Sequence, residues 1–379
     1  MKRFSSRAVI LGVAAPVGAL LFAGLVCALI LLLTDHSPAD VVDQMITSAQ
    51  RPRTFVNSLN SATTYYLAAV AVAIGFRMNL FNIGVDGQYR LAAMLSAAFA
   101  GASFMESLPS FLRIALTMIA AMLVGAAWAG LAGLLKVTRG VSEVISTIML
   151  NAVATALVSY LLNPNRLAVQ TAGSNNIGTS PITEGGQVEG IAYAGSSSKL
   201  FGLVFLAVAV GLVYWFVLAR TRFGFELKAT GLSESAAVAS GVAVKRMVLY
   251  SMLLSGAVAG LVGMPQLLGS SHSYALDFPA GVGFTGIAVA LLGRNHPVGM
   301  ALAAVLWGLL DNSSNSLDVA GVPKEIVAIM QGVIVLSVVV AYELVRRYKV
   351  RVEQREVGRA LGRTESGKTE PATIGEVSA

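Results

Sequence analysis

Charged side chains are scarce in this 379-residue sequence: Asp, Glu, Lys and Arg together make up 12% of it, roughly half the share in a typical soluble domain. The sequence holds one cysteine and three histidines, which excludes an internal disulfide and leaves too few ligands for a Cys/His metal centre. Hydrophobic residues, by contrast, make up 55%. So few polar side chains cannot cover a water-exposed surface, so we exclude a soluble enzyme, a disordered chain and a fibrous repeat. The remaining solvent is a lipid bilayer.

Long apolar runs recur along most of the sequence. A helix needs about 20 apolar residues to cross the hydrocarbon core of a bilayer. Ten stretches meet or approach this length, and they predict an all-α, polytopic membrane protein with about ten transmembrane helices. These stretches are 8–33, 57–76, 84–105, 112–135, 142–162, 200–219, 247–269, 280–293, 298–316 and 324–345.

The placement of Lys and Arg predicts the orientation. Ten spans put both termini on one side, and most of the 27 basic residues lie on that side, which the positive-inside rule makes the cytoplasm. The net charge of +7 is therefore an orientation signal, and we expect no nucleic-acid partner. The transmembrane domain is predicted at 1–345, with an external loop at 163–198 and a cytoplasmic loop at 220–246. A cytoplasmic tail follows at 346–379, and we expect disorder beyond about Arg359.

The two halves of the sequence resemble each other. Matching features occur in the same order in both. The third span and its equivalent, the eighth, run in opposite directions through the membrane, so the second copy is inverted. The matches are Phe81-Asn-Ile-Gly84-Val85 with Phe278-Pro-Ala-Gly281-Val282, Trp128 with Trp307, and Gly140-Val141 with Gly321-Val322. We therefore predict two inverted five-helix repeats, at about 8–162 and 200–345. Inverted repeats are typical of transporters, because rocking one against the other exposes a central site to each side in turn.

A polar, glycine-containing segment, residues 76–90, joins the second and third spans. Polar groups are costly in hydrocarbon unless they face a cavity or a partner, and its glycines permit a break in the helix. One interpretation is a broken or re-entrant element that borders a translocation path. The alternative is an ordinary helix start with Asp86 and Arg90 paired four residues apart. The residues predicted to border the path are Asn82, Asp86, Gln88 and Asn151.

Three further polar stripes fall on single helix faces. They are Asn57, Asn60 and Thr64 on the second span, Glu143, Thr147 and Asn151 on the fifth, and Lys324, Ala328 and Gln331 on the tenth. Each stripe could line an aqueous path or join neighbouring helices through hydrogen bonds.

The cytoplasmic loop 220–246 contains the pattern of a short helix. Ser233 is placed to cap it, Ala236 and Ala237 share one face, and Gly241 would end it. A short helix with a small-residue face suits docking in a groove of a soluble partner, although an ordinary solvated loop would have a similar pattern. No catalytic constellation accompanies these features. The phosphate-loop match at 362–369 has no preceding buried strand, so we do not expect an enzyme.

Several of these segments together resemble a known family. They are Phe81-Asn-Ile-Gly-Val-Asp-Gly-Gln88, Gly140-Val-Ser-Glu-Val-Ile-Ser-Thr-Ile-Met-Leu-Asn151, Leu254 to Gly263 and Gly283 to Pro297. Over about 55–345 the sequence is similar to the permease subunits of ABC importers for ribose, other simple sugars and branched-chain amino acids. The ribose branch carries Gly-Gly-Ile-Asp-Leu-Ser near Asp86, and its replacement here favours the nucleoside branch.

The resemblance implies a set of partners. These are a cytoplasmic ATPase pair that docks on loop 220–246 and uses ATP and Mg²⁺, a second permease subunit that forms a mixed pair, and an external substrate-binding lipoprotein. No cofactor is expected on this chain. The resemblance also implies a bacterial cell membrane location. It assigns ATPase coupling to Gly224, Glu226, Gly231, Glu234, Ala236, Ala237 and Gly241, while Lys228 and Ser233 stand where the family often has Arg and Asn.

The expected function is therefore the membrane permease subunit of an ATP-driven importer that forms the translocation path for nucleosides. One alternative is a permease of the same kind for simple sugars such as pentoses. A second alternative is an ion-coupled secondary carrier, which would need ionisable groups within its spans. Asp86, Glu143 and Asp311 are available, but they lie near predicted span ends.

Overall fold

The computed structural model of the chain describes residues 6–170, 176–319 and 321–366 and is almost entirely helical. Its helices are α1 Ser6–Leu33, α2 Pro38–Gln50, α3 Pro52–Phe76, α4 Val85–Ala100, α5 Ser110–Arg139, α6 Glu143–Leu161, α7 Val204–Arg220, α8 Arg222–Leu232, α9 Glu234–Ala239, α10 Val244–Leu261, α11 Met264–Gln266, α12 Val282–Leu292, α13 Pro297–Val319 and α14 Lys324–Ser366. Within the predicted external loop, β1 Ala168–Gln170 pairs antiparallel with β2 Ile177–Thr179.

Each of the ten predicted spans coincides with a helix, namely α1, α3 to α7, α10 and α12 to α14. By length and hydropathy, five helices of the described chain could cross a membrane, and two sharply bent pairs raise the number to seven. The others fail for physical reasons. The helix α12 has only 11 residues, and α13 carries the polar run Asp311–Ser316 near its end. The chain is thus a multi-pass membrane protein in which several spans are short or interrupted.

Three elements differ from the sequence expectation. The helix α2, between the first two predicted spans, was not predicted, because its polar residues keep its hydropathy low. The loop 220–246 contains α8 in addition to the predicted short helix, which is α9. The helix α14 continues to Ser366 instead of ending near 345, in a segment rich in Arg, Lys and Glu, which are good helix formers. Residues 367–379 of the predicted tail lie outside the described residues.

The chain divides into two compact units. One comprises the residues up to Asp35 and those from Ile329 onward, and contains α1 and most of α14. The other, His36–Ala328, contains α2 to α13 and all the sites described below.

The core of the larger unit is α3. Every residue from Leu67 to Gly75 is buried, so this part of the helix is enclosed on all sides. Small residues allow the close approach of its neighbours: a side chain on Gly286 of α12 would lie 2.6 Å from Ala68, and one on Gly308 of α13 would collide with the Ser58 carbonyl. At the crossing of α5 and α10, a side chain on Gly256 would likewise collide with the Gly125 carbonyl. Close backbone packing of this kind is typical of membrane helices.

The helix contacts repeat in the two halves. The helix α3 packs against α12 and α13, while α10 packs against α4 and α5. The sequence matches make α4 equivalent to α12 and α5 equivalent to α13, and by order α3 corresponds to α10. The two sets of contacts are therefore the same set with the halves exchanged, as a duplication requires.

Candidate functional site

The chain breaks between α3 and α4, within the polar segment predicted to join the second and third spans. The turn after α3 is closed by the Gly75 carbonyl, which accepts hydrogen bonds from the amides of Met78 at 2.9 Å and Leu80 at 3.0 Å. Asn79 adopts a left-handed backbone conformation in this turn, with φ of 58°, which Asn tolerates better than most residues. The break directs α4 back into the protein, with its first turn fully enclosed.

Asn82 is completely buried at this break, and both its amide nitrogen and its amide oxygen are hydrogen-bonded. Its amide forms a reciprocal pair with the Gln88 amide, at 3.0 and 2.9 Å. It also donates to Ser255 Oγ on α10 at 2.8 Å and accepts from the Gly84 amide at 3.0 Å. Ser255 in turn donates to the Ala71 carbonyl of α3 at 2.6 Å. The network connects three helices and satisfies the polar groups of the broken segment.

Asn151 of α6 performs a similar role one turn further along α4. Its side chain accepts from the Gly87 amide and donates to the Ile83 carbonyl, both at 2.9 Å. Glycine is required at 87, because a side chain there would lie 2.8 Å from Asn151 Oδ1. Asn151 thus provides a hydrogen-bond partner for two backbone groups at the start of α4, which would be costly to leave unpaired away from water.

Asp86 joins the starts of two equivalent helices. Its carboxylate accepts from the Gly283 amide in the first turn of α12 at 3.1 Å, and any side chain on Gly283 would collide with the Asp86 backbone. Arg90, the alternative partner for Asp86, donates instead to Thr155 Oγ1 at 3.2 Å. The matched segments at 81–85 and 278–282 therefore meet in space.

The linings of the four cavities found among the described residues, the largest of which is described next, do not include any of the four predicted path residues. Asn82, Asp86 and Gln88 are buried and Asn151 is half-buried. Their hydrogen bonds hold together the elements around the break. That they border a path stays a prediction, which the Asp86–Gly283 contact supports indirectly, since the adjacent Val282 does line a cavity.

A polar cavity of about 880 Å³, the central cavity, lies beside α3. One wall is the predicted stripe Asn57, Asn60 and Thr64, and Asn312 of α13 faces the same space. Another part of the wall comes from the π-helical turn Leu267–Ser271, which directly follows α11. Such turns are frequent at functional sites. The remaining lining includes Tyr65, Phe201, Gln266, His272, Glu184, Glu189 and Lys199.

Hydrogen bonds hold the lining in place. The Asn60 amide donates to the Lys199 carbonyl at 3.0 Å and accepts from the Phe201 amide at 2.8 Å, which binds the end of the external loop to α3. Tyr65 donates to Asp311 Oδ2 at 2.6 Å. Besides the charged side chains, the walls therefore present amides, hydroxyls and two aromatic rings, which suit a hydrogen-bonding solute with a flat apolar face.

The other two stripes behave differently. Glu143 pairs with Lys136 at 2.5 Å and accepts from the Phe81 amide at 3.4 Å, so this stripe joins α5, α6 and the break. Lys324 and Ala328 are exposed. Sequence reasoning thus found one wall of the central cavity and missed the others. The run Asp311–Ser316, polar within a predicted span, is the signal that could have identified Asn312.

In the part of the chain that the structure describes, His272 of the lining has an unsatisfied ring nitrogen. It adopts a left-handed backbone, with φ of 52°, and its buried Nδ1 has no hydrogen-bond partner among the described residues. Burial lowers the pKa of His272, because it disfavours the charged form. No group of His, Cys, Asp or Glu in the described chain could hold a metal ion.

The loop between α7 and α10, which contains α8 and α9, packs closely against α7 and the end of α3. A side chain on Gly224 would collide with the Val217 carbonyl of α7, and one on Gly231 would lie 2.5 Å from the Arg77 carbonyl at the end of α3. Glu226 forms an ion pair with Arg222 at 2.6 Å. The helix α8 is therefore in close backbone contact with α7 and with the residue that follows α3.

The predicted short helix is present as α9. Ser233 caps it by accepting from the Ala236 amide at 3.3 Å, and Gly241 follows it in a left-handed conformation with φ of 82°. Ala237 is buried, whereas Glu234 and Ala236 are exposed. The two helices enclose a shallow groove of about 420 Å³. Apolar side chains are exposed around it, namely Phe225 at 69%, Leu232 at 88% and Val238 at 61%.

Comparison with known proteins places these features in context. Residues 54–339 match the family described as "Branched-chain amino acid transport system / permease component". The guanosine ABC transporter permease protein NupP of Bacillus subtilis is 36% identical over 76% of this chain and 81% of its own length. The nucleoside ABC transporter permease protein NupB of Lactococcus lactis is 31% identical over 86% of this chain and 90% of its own. The glucose ABC transporter permease protein TsgB13 of Haloferax volcanii is 34% identical over 77% of each.

Proposed function

Because the chain belongs to the family of branched-chain amino acid transport system permease components, we propose that it forms the membrane path of an ATP-driven importer for nucleosides. The relatives that carry nucleoside or guanosine in their names support this substrate class. The observation that carries the proposal is the central cavity, which has a volume of about 880 Å³ and a largely polar lining within a bundle of membrane helices. Polar groups inside a membrane are costly and are retained where they serve a solute path.

The chemistry of the cavity supports a nucleoside. Its volume falls in the range of small-molecule sites, about 300–1,000 Å³. A nucleoside has a ribose and a base that need hydrogen bonds, and a flat ring that stacks on aromatic side chains. The amides on α3 and α13 supply the hydrogen bonds, and Tyr65 and Phe201 supply aromatic rings for stacking. The four residues around the break, including Asn82 and Asp86, would then hold the frame of the path.

A simple sugar is the second candidate substrate. The glucose permease relative favours it, and a sugar would also bond to the amides of the cavity. A sugar gains less from Tyr65 and Phe201, because it lacks an extended flat ring. Competition between unlabelled ribose or glucose and labelled guanosine decides between the two, and we expect guanosine and adenosine to compete far more strongly.

The transport test uses proteoliposomes. This chain is reconstituted with its ATPase, a second permease subunit and an external binding protein, and uptake of labelled guanosine is measured with ATP and Mg²⁺ on the ATPase side. We expect uptake that requires ATP and is unaffected by collapsing proton and sodium gradients. Uptake by this chain alone, driven by an ion gradient, would contradict the proposal and favour a secondary carrier.

We further propose that the surface formed by α8 and α9, the coupling surface, receives the ATPase. Phe225 and Leu232 are exposed and line the groove, and Val238 of α9 is exposed as well; exposed apolar surface of this kind marks protein contacts. The glycine contacts of α8 with α7 and with the Arg77 carbonyl supply the mechanical connection. We propose accordingly that the loop and both termini lie in the cytoplasm, an orientation that the charge distribution supports.

Substitution on the coupling surface tests this docking. L232D places a charge at a position that is 88% exposed, so the chain should fold normally while ATP-dependent uptake falls at least tenfold. The matched control is L276D, which makes the same change at a position 66% exposed in a predicted external loop. We expect L276D to retain ATPase association. Equal co-purification of the ATPase with L232D and the unmodified chain would refute the docking proposal.

A further inference from the structure

A second polar cavity, of about 620 Å³, lies between α2, the start of α3 and α13. Asn57 and Asn312 line both this cavity and the central cavity. The two residues therefore lie where the cavities adjoin, and we call them the junction. Asn57 belongs to a stripe predicted either to line an aqueous path or to join helices, whereas Asn312 was not predicted.

The two side chains of the junction carry no formal charge, although charged side chains line both cavities. The second cavity contains Asp43, Arg51 and Arg53, and the central cavity contains Glu184, Glu189 and Lys199. Between them the junction offers carboxamide groups. An ion at the junction would exchange its hydration shell for neutral dipoles at a large cost, whereas an uncharged solute would exchange one set of hydrogen bonds for another.

The hydrogen bonds of the junction leave binding capacity free. Both amide hydrogens of Asn312 are used, with Nδ2 donating to Ser61 Oγ at 3.0 Å and to the Gly308 carbonyl at 2.9 Å. These bonds orient the side chain, and its Oδ1 has no partner among the described residues. The side chain of Asn57 makes no hydrogen bond within the described chain. Two half-buried amides thus present one acceptor and one complete amide to whatever occupies the cavities.

We propose that Asn57 and Asn312 are specificity-determining residues, which hold an uncharged, hydrogen-bonding solute at the junction of the two cavities and reject charged ones. The inference rests on the proposed transport function and assigns the substrate selectivity of that transport to the junction. Asn312 recognises a donor of the solute through Oδ1. Asn57 supplies both a donor and an acceptor.

The kinetic test uses isosteric changes in the complete transporter. N57D and N312D keep the side-chain shape but replace the amide donors with a negative charge. N57D removes the donor that Asn57 offers to the solute, and N312D removes the two hydrogen bonds that orient Oδ1, so each should raise the KM for guanosine about tenfold or more with little change in maximal rate. The matched control is N315D, the same change three residues along α13 at a position that lines the second cavity alone. It should leave the KM within about twofold of the unmodified value.

A second measurement guards against a folding defect. The chain has one cysteine, so C27S provides a cysteine-free background into which N57C or N315C is introduced. A neutral maleimide should label both positions, and guanosine should slow labelling at 57 but not at 315. Labelling at 57 that guanosine leaves unchanged, or N57D and N312D with unaltered KM, would overturn the inference. If the unmodified transporter takes up no nucleoside at all, the proposed function fails instead, which is a distinguishable result.

Discussion

Replacement of Asn82 by alanine separates a framework role from a solute-contact role at the break after α3. The side chain is completely buried and makes four hydrogen bonds, to Gln88 twice, to Ser255 and to Gly84. Hydrogen bonds between membrane-embedded groups average about 0.6 kcal/mol, and those in soluble proteins contribute about 1 kcal/mol each. We therefore expect N82A to lower the free energy of unfolding by about 2–4 kcal/mol.

The assay is unfolding of the purified chain by sodium dodecyl sulfate in mixed micelles, followed by circular dichroism. A double-mutant cycle with Q88A isolates the reciprocal amide pair, whose two bonds measure 3.0 and 2.9 Å. The coupling energy should be about 1–2 kcal/mol, since the pair accounts for two of the four bonds. N315A removes an amide of the same size from an exposed position and should change stability by less than about 0.5 kcal/mol.

Two results would refute this reasoning. If N82A and Q88A were additive within about 0.5 kcal/mol, the amide pair would not be an energetic unit. If N82A abolished guanosine uptake while its unfolding free energy stayed unchanged, Asn82 would contact the solute instead of holding the frame. A framework residue should instead lower stability and leave the KM of the remaining folded transporter unchanged.

Two further predictions concern packing and pH. G256V should abolish the folded monomer peak in detergent size-exclusion chromatography, because a side chain there collides with the Gly125 carbonyl; G24V, where no described atom lies within 4 Å, should retain that peak. Since burial lowers the pKa of His272, the unfolded chain binds that proton more readily, and stability falls as the pH drops below about 6.5. From about pH 7.5 to about pH 5.5 the unfolding midpoint of the unmodified chain should fall further than that of H272Q, and parallel curves would contradict this assignment.

Much of the helix layout could be predicted from the sequence, because hydropathy reports the transfer of each segment from water into lipid. The break after α3 was predicted for a related reason, since Asn82, Gly84 and Gly87 are costly in an uninterrupted apolar span. The Ser233 cap was also predicted, because capping depends on a few adjacent residues.

The candidate site was only partly predictable. The stripe of Asn57, Asn60 and Thr64 follows from helical periodicity, but periodicity does not say whether a polar face meets a cavity or another helix. The stripe that includes Glu143 has the same pattern and joins helices. The helix α2 was missed because its low hydropathy resembles that of a loop.

Composition and charge placement by themselves determined that this is a multi-pass, helical membrane protein, because those properties are sums over residues and need no partner. The motifs and their order identified the family, because they too can be found in the sequence without knowledge of the tertiary structure. Which polar side chains are consumed by internal hydrogen bonds was decided by tertiary structure alone. Asn82 is fully bonded and Asn57 is not, although both are asparagines beside membrane helices. Their difference depends on Gln88 and Ser255 on one side and on an open cavity on the other, and those neighbours are set only when distant helices meet.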